Sequence, residues 1–379
     1  MTSNNNILVL LLKKCFLSIL LFTCTVYCQN KDQLLVDTAF GENPYCYDCT
    51  CVPSAQCKNT NGDNIINLRF QSVSCVEDDA LCCRDEDIIR EEKKNDTTAP
   101  KTKQPCGTRR SDGVGLFRIN DNDNTEFGEF PWMIALFHEE HDSDISADVY
   151  KYKCGGSLIH PQVVLTGAHC VPKDIKKLIV RAGDWDLNST DEVVPHQERK
   201  VQTFIIHPKY NRGSLHNDVA LLFLETAFAE AENIDVVCLP PQNTNSDNSR
   251  CIATGWGKTS FNKTALLQRI LKIVELPIVE HESCQAKLRT TKLGKYFILD
   301  PSFICAGGMP GVDVCTGDGG SPLICPVKGK DQYYQAGIVA WGIGCKSDVP
   351  GAYVNVALFR DWIDEQMKAQ NFNISIYQY

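Results

Sequence analysis

From about residue 119 onward the chain alternates short apolar runs with Gly, Pro and Asn. Val163-Val164-Leu165, Leu178-Ile179-Val180, Val219-Ala220-Leu221-Leu222-Phe223-Leu224 and Ala336-Gly337-Ile338-Val339-Ala340 are examples. Evenly spaced strand-length runs without intervening helical patterns predict an all-β sandwich or barrel. One segment, 356–368, has helical spacing, with Phe359, Trp362, Ile363 and Met367 on one face. The first part of the chain has a different texture. Lys13-Lys14 is followed by an apolar run, 15–26, and then by Gln29-Asn30-Lys31. That run is shorter than the about 20 apolar residues a bilayer span needs, and its basic flank predicts a cleaved leader at 1–28. Seven cysteines crowd into 46–83 with few large apolar residues, so this module must be stapled rather than packed. Residues 84–105 are almost all charged or polar and predict an exposed linker, with Arg84, Arg90 and several lysines as points for a trypsin-type cut.

Composition narrows the class. The 379 residues are 43% hydrophobic and 22% charged, enough chain for two domains and a proper core. A net charge of −9 gives no electrostatic support for a nucleic-acid partner, and no segment reads as a membrane span. Twenty cysteines in a chain with a leader imply disulfides and an oxidising, extracellular setting. Asn95, Asn188, Asn262 and Asn373 head glycosylation sequons suited to that compartment.

Three motifs carry the chemistry. They are Leu165-Thr166-Gly167-Ala168-His169-Cys170, Asn217-Asp218-Val219-Ala220-Leu221-Leu222 and Cys315-Thr316-Gly317-Asp318-Gly319-Gly320-Ser321-Pro322. A His–Asp–nucleophile order is one arrangement of a catalytic triad, in which the imidazole takes the nucleophile's proton and a buried carboxylate orients the ring. Around them stand Gly128-Glu129-Phe130-Pro131-Trp132, Cys154-Gly155-Gly156-Ser157-Leu158, Cys251-Ile252-Ala253-Thr254-Gly255-Trp256-Gly257 and Pro350-Gly351-Ala352-Tyr353. With these landmarks the region from Cys106 to the C-terminus resembles the chymotrypsin-like serine proteases. The resemblance implies a mostly β fold, a double six-stranded β-barrel with a C-terminal helix over 119–372, preceded by a linker and tether at 84–118. It also implies the bridges Cys154–Cys170, Cys251–Cys325, Cys284–Cys305 and Cys315–Cys345. Cys106 would pair with Cys238, so that a cut in the linker leaves the N-terminal piece attached.

The departure from the family lies in the third motif. Where the family reads Gly-Asp-Ser-Gly-Gly-Pro, this chain has Gly317-Asp318-Gly319-Gly320-Ser321-Pro322, so Gly319 stands at the nucleophile position. Loss of that group alone costs about 10⁶-fold in turnover, and the chain is expected not to be an enzyme. Ser321 lies two residues on, about 6–7 Å along extended backbone, too far for a base that must approach within about 3 Å. His169 and Asp218 then read as a hydrogen-bonded pair inside the fold. Ala340 replaces the serine that helps hold the family's aspartate. Asp313, flanked by Gly342 and Gly351, matches the floor of a trypsin-like pocket; it would either hold a Lys or Arg side chain uncut or stand as a solvated acid. Arg118-Ile119-Asn120-Asp121 lacks the Val-Gly-Gly of an activated start, although Asp318 is kept. In the loop from Gly183 to Glu198, Asp184 and Glu198 are candidate calcium ligands, since some relatives hold calcium there; an acidic surface loop is the other reading. No cofactor is required for the function expected.

The N-terminal module, with Cys49-Thr50-Cys51-Val52-Pro53 through Cys57, then Cys75 and Cys82-Cys83, resembles an arthropod clip domain. That likeness implies Cys49–Cys82, Cys51–Cys75 and Cys57–Cys83, with Cys46 left over. Together the two parts resemble the clip-domain serine protease homologs of insects, in the prophenoloxidase-activating and masquerade-like group. What this implies is a haemolymph protein cut by an upstream clip protease. It would then self-associate and bring prophenoloxidase to its activating protease. The rival readings are an active protease with an unconventional nucleophile, and a decoy, adhesion or negative-regulatory protein.

Overall fold

The computed structural model describes residues 50–53, 80–83, 104–114, 124–142, 147–189, 192–258, 267–309, 318–343 and 348–379. The chain divides into two compact units, Met1–Lys101 and Thr102–Tyr379. In the first, β1 (Thr50–Pro53) and β2 (Ala80–Cys83) pair antiparallel, with Cys51 opposite Cys82 and Thr50 opposite Cys83. Each of the bridges expected here, and Cys46, involves a residue outside the described set.

The second unit is built from two closed antiparallel barrels of six strands each. The first barrel holds β3 (Met133–Asp142), β4 (Ala147–His160), β5 (Val163–Thr166), β6 (Leu178–Ala182), β7 (Gln197–Ile206) and β8 (Ala220–Leu224), in the order β3-β4-β5-β8-β7-β6. The second holds β9 (Arg250–Gly255), β10 (Lys272–Val279), β11 (Phe303–Gly307), β12 (Pro322–Pro326), β13 (Tyr333–Trp341) and β14 (Pro350–Asn355), in the order β10-β11-β14-β13-β12-β9. Closure removes the exposed edges an open sheet would carry. The uniformly apolar runs noted in the sequence become β5 and β8, whose residues are buried throughout. These strands pair with each other, and their outward faces are covered as well as their inward ones. β7 instead alternates, presenting Glu198 and Lys200 beside half-buried or exposed neighbours.

Among the described residues two α-helices flank the barrels. α1 (His281–Arg289) was not legible as a helix; it buries only Cys284 and Leu288, one i, i+4 pair, and Cys284 is bridged to Cys305 of β11. α2 (Arg360–Ala369) begins later than its sequence pattern because 356–358 forms a 3₁₀ turn; Ile363 and Met367 are fully buried. Arg360 closes this end, donating to the carbonyls of Leu239 and Pro240 at 3.0 and 2.8 Å and pairing with Asp364. Among the described residues no helix is long and apolar enough to cross a membrane.

Among the described residues four bridges tie the unit: Cys106–Cys238, Cys154–Cys170, Cys251–Cys325 and Cys284–Cys305. In the chain-entropy view the short loop closed by Cys154–Cys170 contributes about 3 kcal/mol and the long one closed by Cys106–Cys238 about 5 kcal/mol. The segment at Cys106 is docked as well as bridged. Gly107 donates to Val236, its carbonyl accepts from Tyr333, and a side chain at Gly107 would collide with the Tyr333 carbonyl. Arg109 pairs with Glu129. The Cys106–Cys238 bridge that the likeness implied is present. It retains the N-terminal piece only when the cut falls beyond Cys106. Cuts at Arg84 or Arg90 lie on the other side of it.

Candidate functional site

Between β5 and the second barrel, a 3₁₀ turn over Ala168–Cys170 positions His169. Cys170 is fixed by its bridge to Cys154, and its amide bonds the Gly167 carbonyl. Asp218 sits just before β8 with no solvent exposure and accepts twice from His169: the backbone amide reaches Oδ1 at 2.8 Å, and Nδ1 reaches Oδ2 at 2.5 Å. Asn217, which precedes it, has φ 55, and its amide bonds Ser302 Oγ at 3.1 Å. The ring is thereby oriented with Nε2 toward Gly319 and 3.4 Å from Cys170 Sγ. A β-carbon built on Gly319 would lie 2.6 Å from that Nε2. Gly319 therefore occupies the place from which a nucleophile would meet the base, and it offers no atom that can attack. The pair has nothing to deprotonate. Acyl transfer needs a nucleophile as well as a base and its orienting acid.

Ser321 does not substitute. Its Oγ is fully buried, so no substrate carbonyl can reach it, and a side chain on Gly155 would collide with it. Tyr152 comes close to Ser321, yet neither hydroxyl makes an aligned hydrogen bond. Burial, aided by the negative charge of Asp318, holds the Tyr152 phenol well above its ordinary value. Asp318 accepts from the Gly257 amide at 2.8 Å and packs so closely on Gly255 and Gly257 that no side chain fits at either. The residues 118–121 that would show an activated start lie outside the described set.

Of the remaining sequence-derived positions, Ala340 is skipped by a register shift between Val339 and Trp341 where β13 pairs with β14. Gly342 is exposed just beyond β13, and Gly351 is buried in β14 opposite Ala306. Asp313, Cys315 and Cys345 lie outside the described residues. Asn188 and Asn373 are exposed; Asn95 and Asn262 are outside the set. In the acidic loop, Glu198 is taken by Arg181, whose Nε and Nη2 reach its Oε1 at 2.9 and 2.6 Å. The carboxyl that faces Asp184 belongs to Glu192, with His196 beside it. Burial and the neighbouring Asp184 push the Glu192 carboxyl up to about 7. Neither Glu192 nor His196 was singled out in the sequence, because an acid and a histidine in a polar loop carry no spacing signature until the loop folds back.

A double antiparallel barrel with an intact His–Asp pair and a bare glycine facing it defines a serine protease homolog stripped of its nucleophile. The trypsin family model matches residues 119–363, and the model for the serine protease clip domain PPAF-2 matches residues 38–84. The chain belongs to the clip-domain branch of the trypsin family. It is 49% identical to phenoloxidase-activating factor 2 of Galleria mellonella, over 75% of this chain and 97% of that protein. It is 37% identical to the inactive CLIP domain-containing serine protease A8 of Anopheles gambiae, over 83% of this chain and 87% of the relative. Phenoloxidase-activating factor 3 of Holotrichia diomphalia is 30% identical over 84% and 91%.

Proposed function

We propose that this chain is an exported, non-catalytic cofactor of phenoloxidase activation, working in haemolymph beside a prophenoloxidase and the protease that cuts it. The single observation that carries the reading is Gly319 against His169: a protease fold whose remaining pair is rigidly held but has no nucleophile is suited to binding, not cutting. Extensive similarity to two phenoloxidase-activating factors supports the direction of the effect. A clip module joined by a polar, Lys/Arg-rich linker supports control by an upstream protease, since exposed linkers of this composition are where proteolysis concentrates.

The test is reconstitution of prophenoloxidase activation by its protease, with the chain absent, intact, or cut by limited proteolysis. Enhancement by the cut chain, with no hydrolysis of Arg- or Lys-ending peptide substrates by the chain alone, is expected. No enhancement by either form would sink the cofactor reading and favour a decoy.

A further inference from the structure

The segment that follows α1 carries a surface patch that neither the His–Asp pair nor the barrel cores use. Tyr296 is 82% exposed and Ile298 73%, the two most exposed large apolar side chains among the described residues. Their neighbours turn the other way: Leu299 is buried, and the Phe297 ring meets Trp341 edge-on at 6.1 Å. The display is held firmly from behind. Arg289 Nε donates to the Phe297 carbonyl at 2.7 Å, the Leu299 amide donates to Gln285 Oε1 at 2.9 Å, and the Phe297 amide bonds the Gly294 carbonyl at 3.0 Å. The Cys284–Cys305 bridge ties α1 itself to β11. The loop therefore spends its polar groups and inner side chains on the fold while its two outer apolar side chains stand in water, an arrangement that marks interaction sites.

The charge around the two is one-sided. From Ser283 to Leu299 the sequence has Lys287, Arg289, Lys292 and Lys295 and no carboxylate, in a chain whose net charge is −9. Lys287, Lys292 and Lys295 are exposed, and among the described residues none of the four cations forms an ion pair. Lys287 donates to the Asp348 carbonyl at 3.4 Å, and Lys295 Nζ lies 5.0 Å from the centroid of the Tyr296 ring. An apolar centre on a preorganised loop, rimmed by charge of one sign, is the layout of a protein interface: the centre supplies affinity and the rim selects a partner of opposite sign. An anionic bilayer fits less well, because the chain as a whole is negative and is repelled from it. We propose that this face docks an acidic segment of a partner protein, with an apolar side chain seated on Tyr296 and Ile298 and carboxylates against Lys292 and Lys295. The docking face rests on the proposed function only for the partner's identity, one of the two proteins that function places beside the chain.

The test uses the full, disulfide-bonded chain, intact and after limited proteolysis. Binding to immobilised prophenoloxidase and to its immobilised protease is measured at about 50 and about 300 mM NaCl. The samples are wild type, Tyr296→Ser/Ile298→Ser, Lys292→Glu/Lys295→Glu, and Tyr150→Ser as an exposed aromatic control outside the patch. Thermal melts check folding, and if one double variant fails to fold the other decides. Both double variants are expected to bind one of the two proteins at least about tenfold more weakly than wild type and Tyr150→Ser do, with a smaller salt dependence in Lys292→Glu/Lys295→Glu. Double variants that bind like wild type, a wild type that binds neither protein, or a salt dependence that Lys292→Glu/Lys295→Glu retains overturns the proposal. So does a loss confined to vesicles containing phosphatidylserine. Phenoloxidase activation by the same samples is read separately: binding that the patch variants lose, without enhancement by wild type, sinks the cofactor reading and leaves the docking face standing.

Discussion

A β-carbon on Gly319 would come within 2.6 Å of His169 Nε2 and 3.3 Å of Cε1, closer than a real side chain stands to an imidazole. The ring has settled into the space that a nucleophile's own Cβ would fill. Restoring serine is therefore not a simple reversal: the ring must retreat against its two bonds to Asp218 before a hydroxyl can align. Gly319→Ser is expected to remain at least about 10³-fold below an ordinary trypsin-like turnover on peptide substrates. Recovery of full peptidolysis by that one change would show that the remnant is still poised.

The His169–Asp218 pair is expected to act in stability. Asp218→Ala removes two hydrogen bonds to a fully buried carboxylate and should cost about 2–4 kcal/mol in a urea melt. His169→Ala should cost less, because the ring is 25% exposed, and should leave the enhancement of phenoloxidase activation in place. A His169→Ala chain that folds normally but no longer enhances would contradict the structural assignment.

Much of this was written in the sequence, and what was not has physical reasons. β5 and β8 read clearly because a barrel strand covered on both faces is a continuous apolar run. Gly319 was legible because its motif has fixed spacing, and the His–Asp order told what was missing. α1 was not, since nine residues with a single buried pair give no 3.6-residue rhythm. Glu198 was legible as an acid near Asp184 in the chain, but its contact with Arg181 was not. Pairing of Arg181 with Glu198 in the β6–β7 ladder delivers that carboxylate to the guanidinium, while Glu192 turns in from the loop. Ser321 could be dismissed by distance along the chain, but its burial against Gly155 required the two barrels to be in place.

The position of the bridge at Cys106 sorts cleavage sites. A chain cut after Arg84 or Arg90 should release its N-terminal fragment on a non-reducing gel. One cut beyond Cys106 should separate only after reduction, since Cys106 is bonded to Cys238. Fragment mass under the two conditions identifies the class of cut, and a fragment from beyond Cys106 that leaves without reductant would contradict the pairing.

Acid should weaken the second unit through its half-buried imidazoles. His207 sits between Phe359 and Trp362, with centroids 5.0 Å from each, and burial, then Lys209, hold its pKa below the ordinary value. His138 is lowered likewise, chiefly by burial. A group with a depressed folded pKa that is neutral in the fold lets the unfolded chain take up its proton first. The stabilisation is therefore whole above about pH 6.5 and is lost as pH falls through the folded values. The melting temperature should drop between about pH 7 and about pH 5, and His207→Asn should flatten that slope while lowering stability throughout. An unchanged slope in His207→Asn would exclude this imidazole as a source.

The most direct measurement on the central claim treats the cut chain with a serine-directed organophosphorus reagent, removes the excess, and adds the chain to prophenoloxidase and its activating protease. A cofactor with glycine at position 319 has no nucleophile to lose, so enhancement should equal that of the untreated chain, with no covalent adduct by mass. An adduct accompanied by loss of enhancement would contradict the account and restore the chain to the ranks of working proteases.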